Sequence, residues 1–383
     1  MSDPAPLPRT INLALQGGGS HGAFTWGVLD SLLAEPRIAI EGLSGASAGA
    51  VNAVALASGH ARGLATGADP RRSARDTLTR VWEEVMALGQ AGAASQNLVN
   101  LIWGSFPKEF APTNFWPAAM RNWLSPYQAN PLDINPLRDL LAREIDFKAI
   151  GTLSSPRVFI SATQVDSGKA VLFSGPRLSA QAVMASACLP LLFQAVEIDG
   201  KPYWDGGYSA NPPLMPLVDH CHSADIVLVQ INPVLRDGTP QTSADILDRV
   251  NELTFNASLM AQMREIDFIN RLLAEGVLQG NRCRTVMLHR IDGGEALRDY
   301  PASTRSTADP GVIRALFELG QQSGQQWIRR HLDDLGRRST IDIRRDYLDD
   351  TRVDSVRRAN SATPVPRRGL GSLISALFSR RKR

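Results

Sequence analysis

Ser47 lies in Gly45-Ala46-Ser47-Ala48-Gly49, a G-x-S-x-G elbow that follows the apolar run Ile38-Ala39-Ile40-Glu41-Gly42-Leu43. In such an elbow a strand turns so sharply into a helix that only residues of little Cβ bulk fit around the serine. The hydroxyl is thereby exposed at the sheet's rim, at the positive end of a helix. A second glycine-framed segment, Gly17-Gly18-Gly19-Ser20-His21-Gly22, follows Ile11-Asn12-Leu13-Ala14-Leu15. Its row of backbone N–H groups offers a cradle for a developing oxyanion. A nucleophile and an anion cradle this close in sequence point to acyl-transfer chemistry.

A serine hydroxyl is a weak nucleophile at neutral pH and needs a base. The chain has six histidines, His21, His60, His220, His222, His289 and His331, and none falls in the late strand-end loop that a Ser-His-Asp triad requires. The better candidate is Asp205 in Tyr203-Trp204-Asp205-Gly206-Gly207, a carboxylate on a tight turn after an aromatic strand. Read alone, Asp-Gly-Gly is more often only a hairpin turn. A carboxylate within hydrogen-bond reach of the hydroxyl serves as general base where a dry setting raises its pKa.

The order G-G-G-x-x-G, G-x-S-x-G, then D-G-G resembles the patatin-like phospholipase family. Ala185-Ser186-Ala187-Cys188-Leu189-Pro190 also matches a family block ahead of the D-G-G strand, and the four blocks span roughly residues 10–235. The resemblance implies a three-layer α/β/α fold around a central, mostly parallel sheet. It implies Ser47 as nucleophile, Asp205 as its activating partner, and an oxyanion hole built from Gly17, Gly18 and Gly19. It also implies a lipid or acyl-ester substrate, with hydrolysis that needs no metal and no cofactor. Two positions depart from the commonest form of the first block. Gln16 stands where an acid is frequent, and His21 where Arg or Lys is frequent. His21 is the candidate substrate-binding residue, yet a histidine is only partly charged near neutrality. This weakens the inference to phospholipids while leaving ester hydrolysis intact.

Gly17-x-Gly19-x-x-Gly22 is also a G-x-G-x-x-G between a strand and a helix, the dinucleotide fingerprint, with Glu41 placed where a ribose-binding acid belongs. An NAD(P)- or FAD-binding protein is therefore an alternative, though it leaves Ser47 and Asp205 unexplained. A catalytically weak, membrane-associated regulator on the same fold is another. Adjacent ligands in His220-Cys221-His222 point different ways, so a surface turn is expected there rather than a metal centre.

The elements that must position these groups alternate between strand-like and helix-like runs, as in α/β proteins. Strands are expected at Ile11–Leu15, Ile38–Leu43, Val158–Thr163 and Ala224–Ile231, with Thr285–Leu288 near an edge. Gly22–Glu35 reads as a helix with Phe24, Val28, Leu29, Leu32 and Leu33 on one face, and Ala48–Ser58 as a small-residue helix. Residues 236–280 read as helical, with Leu253, Leu259, Met260, Met263 and Ile266 as the core face. The expected organisation is a flexible start over 1–9, a catalytic domain over 10–350 and a linker with tail over 351–383. Within the domain, an insertion around 86–135 carries Trp103, Phe106, Phe110, Phe115, Trp116, Trp123 and Tyr127. Those aromatics either pack on the main domain or form an apolar cap over the site.

The 383 residues are 43% hydrophobic and 21% charged, ordinary for a globular protein with a large core. Three scattered cysteines, Cys188, Cys221 and Cys283, give no disulfide framework, so a cytoplasmic setting is expected. The polar start does not read as a secretory signal, and no apolar run approaches the ~18 residues of a bilayer span. From Ser355 onward there are eight basic residues and no acid, so the remaining body carries −5 against the whole chain's +3. An acidic body argues against nucleic acid as partner. In the tail, Leu370, Leu373, Ile374, Leu377 and Phe378 fall on one helical stripe between Arg367-Arg368 and Arg380-Arg381-Lys382-Arg383. A basic amphipathic helix over 367–383 would suit an anionic membrane surface, docking on the body or a disordered tail being the alternatives.

Overall fold

A computed structural model describes residues 8–94, 125–130, 133, 135–190, 192–236, 238–278, 284–300, 304–305 and 308–348. The expected tail helix and linker, Cys283, and the insertion's aromatics other than Tyr127 lie outside the described residues.

An eight-stranded sheet organises the chain. Its strands are β1 (Arg9–Leu15), β2 (Ile38–Gly45), β3 (Arg157–Gln164), β4 (Ala170–Ser174), β5 (Val196–Ile198), β6 (Lys201–Asp205), β7 (Asp225–Gln230) and β8 (Met287–Asp292). They run in the order β5-β6-β3-β2-β1-β7-β8, with β4 also paired to β3. The five strands β3, β2, β1, β7 and β8 are parallel, while β4 and β6 are antiparallel to β3 and β5 is antiparallel to β6. The α-helices of five or more residues are α1 (Gly22–Ala34), α2 (Ala48–Thr66), α3 (Pro70–Ala94), α4 (Pro136–Glu144), α5 (Phe147–Thr152), α6 (Ala180–Ser186), α7 (Met215–His220), α8 (Ser243–Ala274), α9 (Gly294–Arg298) and α10 (Pro310–His331).

Alternation along each strand divides the apolar side chains between two cores. Leu13, Leu15, Val158, Ile160, Val227 and Val229 join Phe24, Leu29, Val54 and Ile313 of α1, α2 and α10 on one face. Ala14, Phe159, Ile226 and Leu228 join Leu217, Leu259, Met263 and Ile266 of α7 and α8 on the other. Both faces being covered, the central strands read as continuous apolar runs rather than alternating ones. The expected α/β architecture and parallel sheet are therefore present, with the edge strand β8 where the sequence suggested one.

Two helix readings change. The single apolar face expected for α1 is not what the fold uses: every residue from Gly22 to Leu33 is buried. α10, which the sequence reading did not identify, closes on its outer side. A Cβ at Gly27 would meet the Phe317 carbonyl, and one at Gly320 would meet the Phe24 carbonyl, so the backbones approach directly. In α8 the expected core residues Leu259, Met263 and Ile266 are buried, but Leu253 is 53% exposed. It shares an outward stripe with Ile246 and Val250, while Glu252 and Asn256 turn inward. Among the described residues no helix is long and apolar enough to cross a membrane.

Candidate active site

Leu15 of β1 pairs with Gly45 of β2, so the two glycine-framed segments leave adjacent parallel strands at the same level. Side-chain bulk is excluded where they meet. A Cβ on Gly17 would stand 2.8 Å from the Ser47 Cβ and 2.6 Å from the Ala46 carbonyl, and one on Gly49 would collide with the Leu15 carbonyl. Ser47 itself has φ 53° and ψ −126°, a strained conformation for a residue with a Cβ, immediately before the first turn of α2. Its N–H donates to the Ser186 carbonyl at 3.1 Å and to Ser186 Oγ at 2.9 Å. Ser186, at the end of α6, thus clamps the elbow's backbone and leaves the Ser47 hydroxyl free of that task.

Asp205 reaches the same place from the far side of β3. It ends β6, opposite Ala162 of β3, and its N–H donates to the Cys188 carbonyl at 2.7 Å. Its carboxyl is fully buried. Oδ1 accepts the Gly207 N–H at 2.6 Å, whereas Oδ2 has no completed hydrogen bond among the described residues. Burial pushes its pKa from 3.8 up to about 7, opposed by the Gly207 N–H and by the Ser47 hydroxyl. The hydroxyl is thus near enough to act on the carboxyl although the contact falls short of a formed hydrogen bond. Long contacts of this kind are common where catalytic hydrogen bonds tighten only with substrate bound. The structure brings Ser47, Asp205 and the Gly17–Gly19 loop together, and no histidine stands between the two side chains in any described contact.

The loop is held by amides whose part in this the sequence did not reveal. Gln16 Oε1 accepts the N–H groups of Ile231 and Asn232 at 3.0 and 2.8 Å, and its Nε2 donates to Asn256 Oδ1 at 2.9 Å. Asn232 Nδ2 donates to the Gly17 carbonyl at 2.7 Å, and Gly17 N–H donates to Asn211 Oδ1 at 2.6 Å. Gly17 therefore spends its N–H on Asn211, while those of Gly18 and Gly19 have no partner among the described residues. Both asparagines precede prolines, a dipeptide that marks a turn, and that was the available signal. Asn211→Ala is expected to free the loop and lower kcat about 10–100-fold with little change in KM, read in steady-state assays.

His21 sits at the first turn of α1 with its ring buried. Nε2 faces Thr304 Oγ1 at 2.8 Å and Nδ1 has no partner among the described residues. Burial first, then the charges of Arg305 and Arg236, push its pKa down to about 3, so it is neutral at pH 7. Glu41, the acid on which a dinucleotide reading depends, lies mid-strand rather than at the end of β2. Its carboxylate accepts the His222 and Ser223 N–H groups at 2.7 and 2.8 Å, at the sheet end opposite the glycine loop. It is not placed for a ribose. Cys221 of the His-Cys-His run is buried.

Residues 13–218 match the family profile described as patatin-like phospholipase. No curated protein matches the chain. Among solved structures, VipD from Legionella pneumophila is 15% identical with a TM-score of 0.39, the match covering 86% of this chain and 68% of VipD. A chain of the ExoU–SpcU complex of the Pseudomonas aeruginosa type III secretion system is also 15% identical, with a TM-score of 0.38. There the match covers 93% of this chain and 61% of the other. Likenesses of that size say nothing about activity.

Proposed function

This chain belongs to the patatin-like phospholipase family, and on that premise we propose that it is a lipid acyl hydrolase working through Ser47 and Asp205. One observation carries the mechanism: a fully buried carboxyl with an unsatisfied Oδ2 and a raised pKa, set against the hydroxyl of a strained elbow. Ionised, Asp205 accepts the Ser47 proton as Oγ attacks the ester carbonyl carbon. The tetrahedral oxyanion accepts hydrogen bonds from the uncommitted N–H groups of Gly18 and Gly19, aided by the positive end of α2. The carbon–oxygen bond to the alcohol breaks, and the alcohol leaves with the proton held by Asp205. Water then gives a proton to the same carboxylate and attacks the acyl-serine carbonyl. Collapse restores the Ser47 hydroxyl and releases the fatty acid.

Beside the site, a cavity of about 750 Å³ is lined by the apolar Met184, Phe193 and Val196 and by the charged Asp133, Arg138 and Glu197, and its apolar lining supports this reading as space for an acyl chain. Cys188 lines this cavity and its carbonyl accepts the Asp205 N–H, which sets the cavity next to the turn that carries the carboxylate.

The test is the pH dependence of kcat/KM for an uncharged ester. The base works only when ionised, so activity is expected to be lost as pH falls, with a midpoint near the value of about 7 set by burial. A midpoint near 4, as for an exposed carboxylate, or no ester hydrolysis at all would contradict the proposal.

A further inference from the structure

A segment from late in the chain straps the glycine loop. Ser20 Oγ donates to the Thr304 carbonyl at 2.7 Å, and a Cβ on Gly19 would run into the Arg305 carbonyl. The Arg305 side chain enters the space between this loop and α8. There Nη2 donates to Glu252 Oε1 at 3.0 Å, an oxygen that also accepts Arg236 Nη2 at 2.7 Å. Arg249 Nη1 donates to Glu252 Oε2 at 3.2 Å. Glu252 is 2% exposed, and Asp248, one turn earlier, is the other carboxylate acting on Arg305. Among the described residues, three guanidinium groups thus face two carboxylates, one positive charge in excess of the negative ones.

Two details set this cluster apart from a simple brace. Arg305 Nε is buried with no hydrogen-bond partner among the described residues. A buried donor left unpaired is costly and calls for an explanation. The field of the arginines also reaches the loop, since Arg305 and Arg236 both help hold the His21 ring neutral. The fixed cation that His21 does not supply stands behind it.

We infer that Arg305, with Arg236, forms the subsite for the phosphodiester of a glycerophospholipid whose ester lies against Gly18 and Gly19. The inference rests on the acyl-hydrolase reading. A phosphodiester lies only a few bonds from the acyl carbonyl, so one substrate reaches cradle and cluster together. Its oxygens match the planar donor fork of arginine, and the buried Nε–H gains an acceptor.

The experiment compares a lysophospholipid with the monoacylglycerol of the same acyl chain, both in one neutral detergent, using the full chain. The wild type is expected to favour the lysophospholipid. Arg305→Gln is expected to lower the ratio of the two kcat/KM values about tenfold, mainly through KM, with Arg305→Lys intermediate because charge is kept and the fork is lost. Thermal melts check folding, and Arg236→Gln provides the same ratio should Arg305→Gln fail to fold. An unchanged ratio, both rates falling alike, makes the cluster a brace and overturns the inference while the hydrolase reading stands. Competition by inorganic phosphate with an unchanged ratio assigns the cluster to a free anion, and also overturns it. A wild type inactive on both esters overturns the hydrolase reading instead.

Discussion

Replacing Ser47 with alanine is expected to lower kcat for ester hydrolysis at least about 10⁴-fold, because the attacking oxygen is lost and the neighbouring Ser186 hydroxyl is engaged by the backbone N–H of position 47. Alanine keeps the Cβ and the strained backbone, so the melting temperature is expected to stay near that of the wild type. Ser47→Gly separates the two roles of this residue. At φ 53° and ψ −126° a glycine is unstrained, and relief of that strain, set against the greater entropy of glycine in the unfolded chain, is expected to stabilise the protein by about 1 kcal/mol. The glycine variant is thus expected to be as inactive as the alanine variant and more stable than the wild type. Thermal melts and ester assays on the three proteins check this, and residual activity within about tenfold of wild type in either variant would remove Ser47 from the chemistry.

Asp205→Asn is expected to have an equally large effect on rate, about 10⁴-fold, since the amide keeps the shape but cannot take the proton. Its effect on stability has the opposite sign and depends on pH. The folded pKa, near 7, lies above the unfolded one. Below about pH 4 both states hold the proton and burial carries no charge. As pH rises from there to about 7, the unfolded chain releases the proton while the folded one retains it, so wild-type stability declines. Above that window the decline is complete, and its upper bound is on the order of 4 kcal/mol. The asparagine variant lacks this burden. It is expected to melt higher than the wild type at about pH 8, with the difference vanishing towards about pH 4. Denaturant titrations at the two pH values measure it, and equal stability at both would mean that Asp205 is not an ionised buried group. A residue that destabilises the fold in the form that works is what a functional site requires.

Where the sequence was legible and where it was not follows from how each residue is held. The elbows were legible because steric exclusion leaves a local mark: Gly17, Gly45 and Gly49 must lack a Cβ, and they cluster around Ser47. Asp205 was legible through the glycines after it, since Gly206 and Gly207 leave no room for a side chain against Ser161 and Phe255. The support of the oxyanion loop left no such mark. Gln16, Asn211, Asn232 and Asn256 meet over separations near two hundred residues, and isolated amides in a sequence read as surface or turn. Arg305 was invisible for the same reason, its meaning coming from Glu252 and from the loop it covers. The helices show a second limit. Periodicity finds one apolar face and so describes a helix at the surface. α1 is enclosed by α10 as well as by the sheet, and its outer face is buried by glycine contacts that no periodicity reports. In α8 the inward stripe contains Glu252 and Asn256 while Ile246, Val250 and Leu253 face outward, so polarity there pointed the wrong way.

The central claim is that the Ser47 hydroxyl is activated by the Asp205 carboxylate, and covalent trapping tests it most directly. Wild-type protein, Ser47→Ala and Asp205→Asn are treated at about pH 8 with a fluorophosphonate ester, and the modified peptide is identified by mass spectrometry. The account predicts one phosphonylated residue, Ser47, in the wild type, none in the alanine variant, and labelling slowed by orders of magnitude in the asparagine variant. Label on any other residue, or labelling of Ser47 at the wild-type rate without the carboxylate, would contradict it.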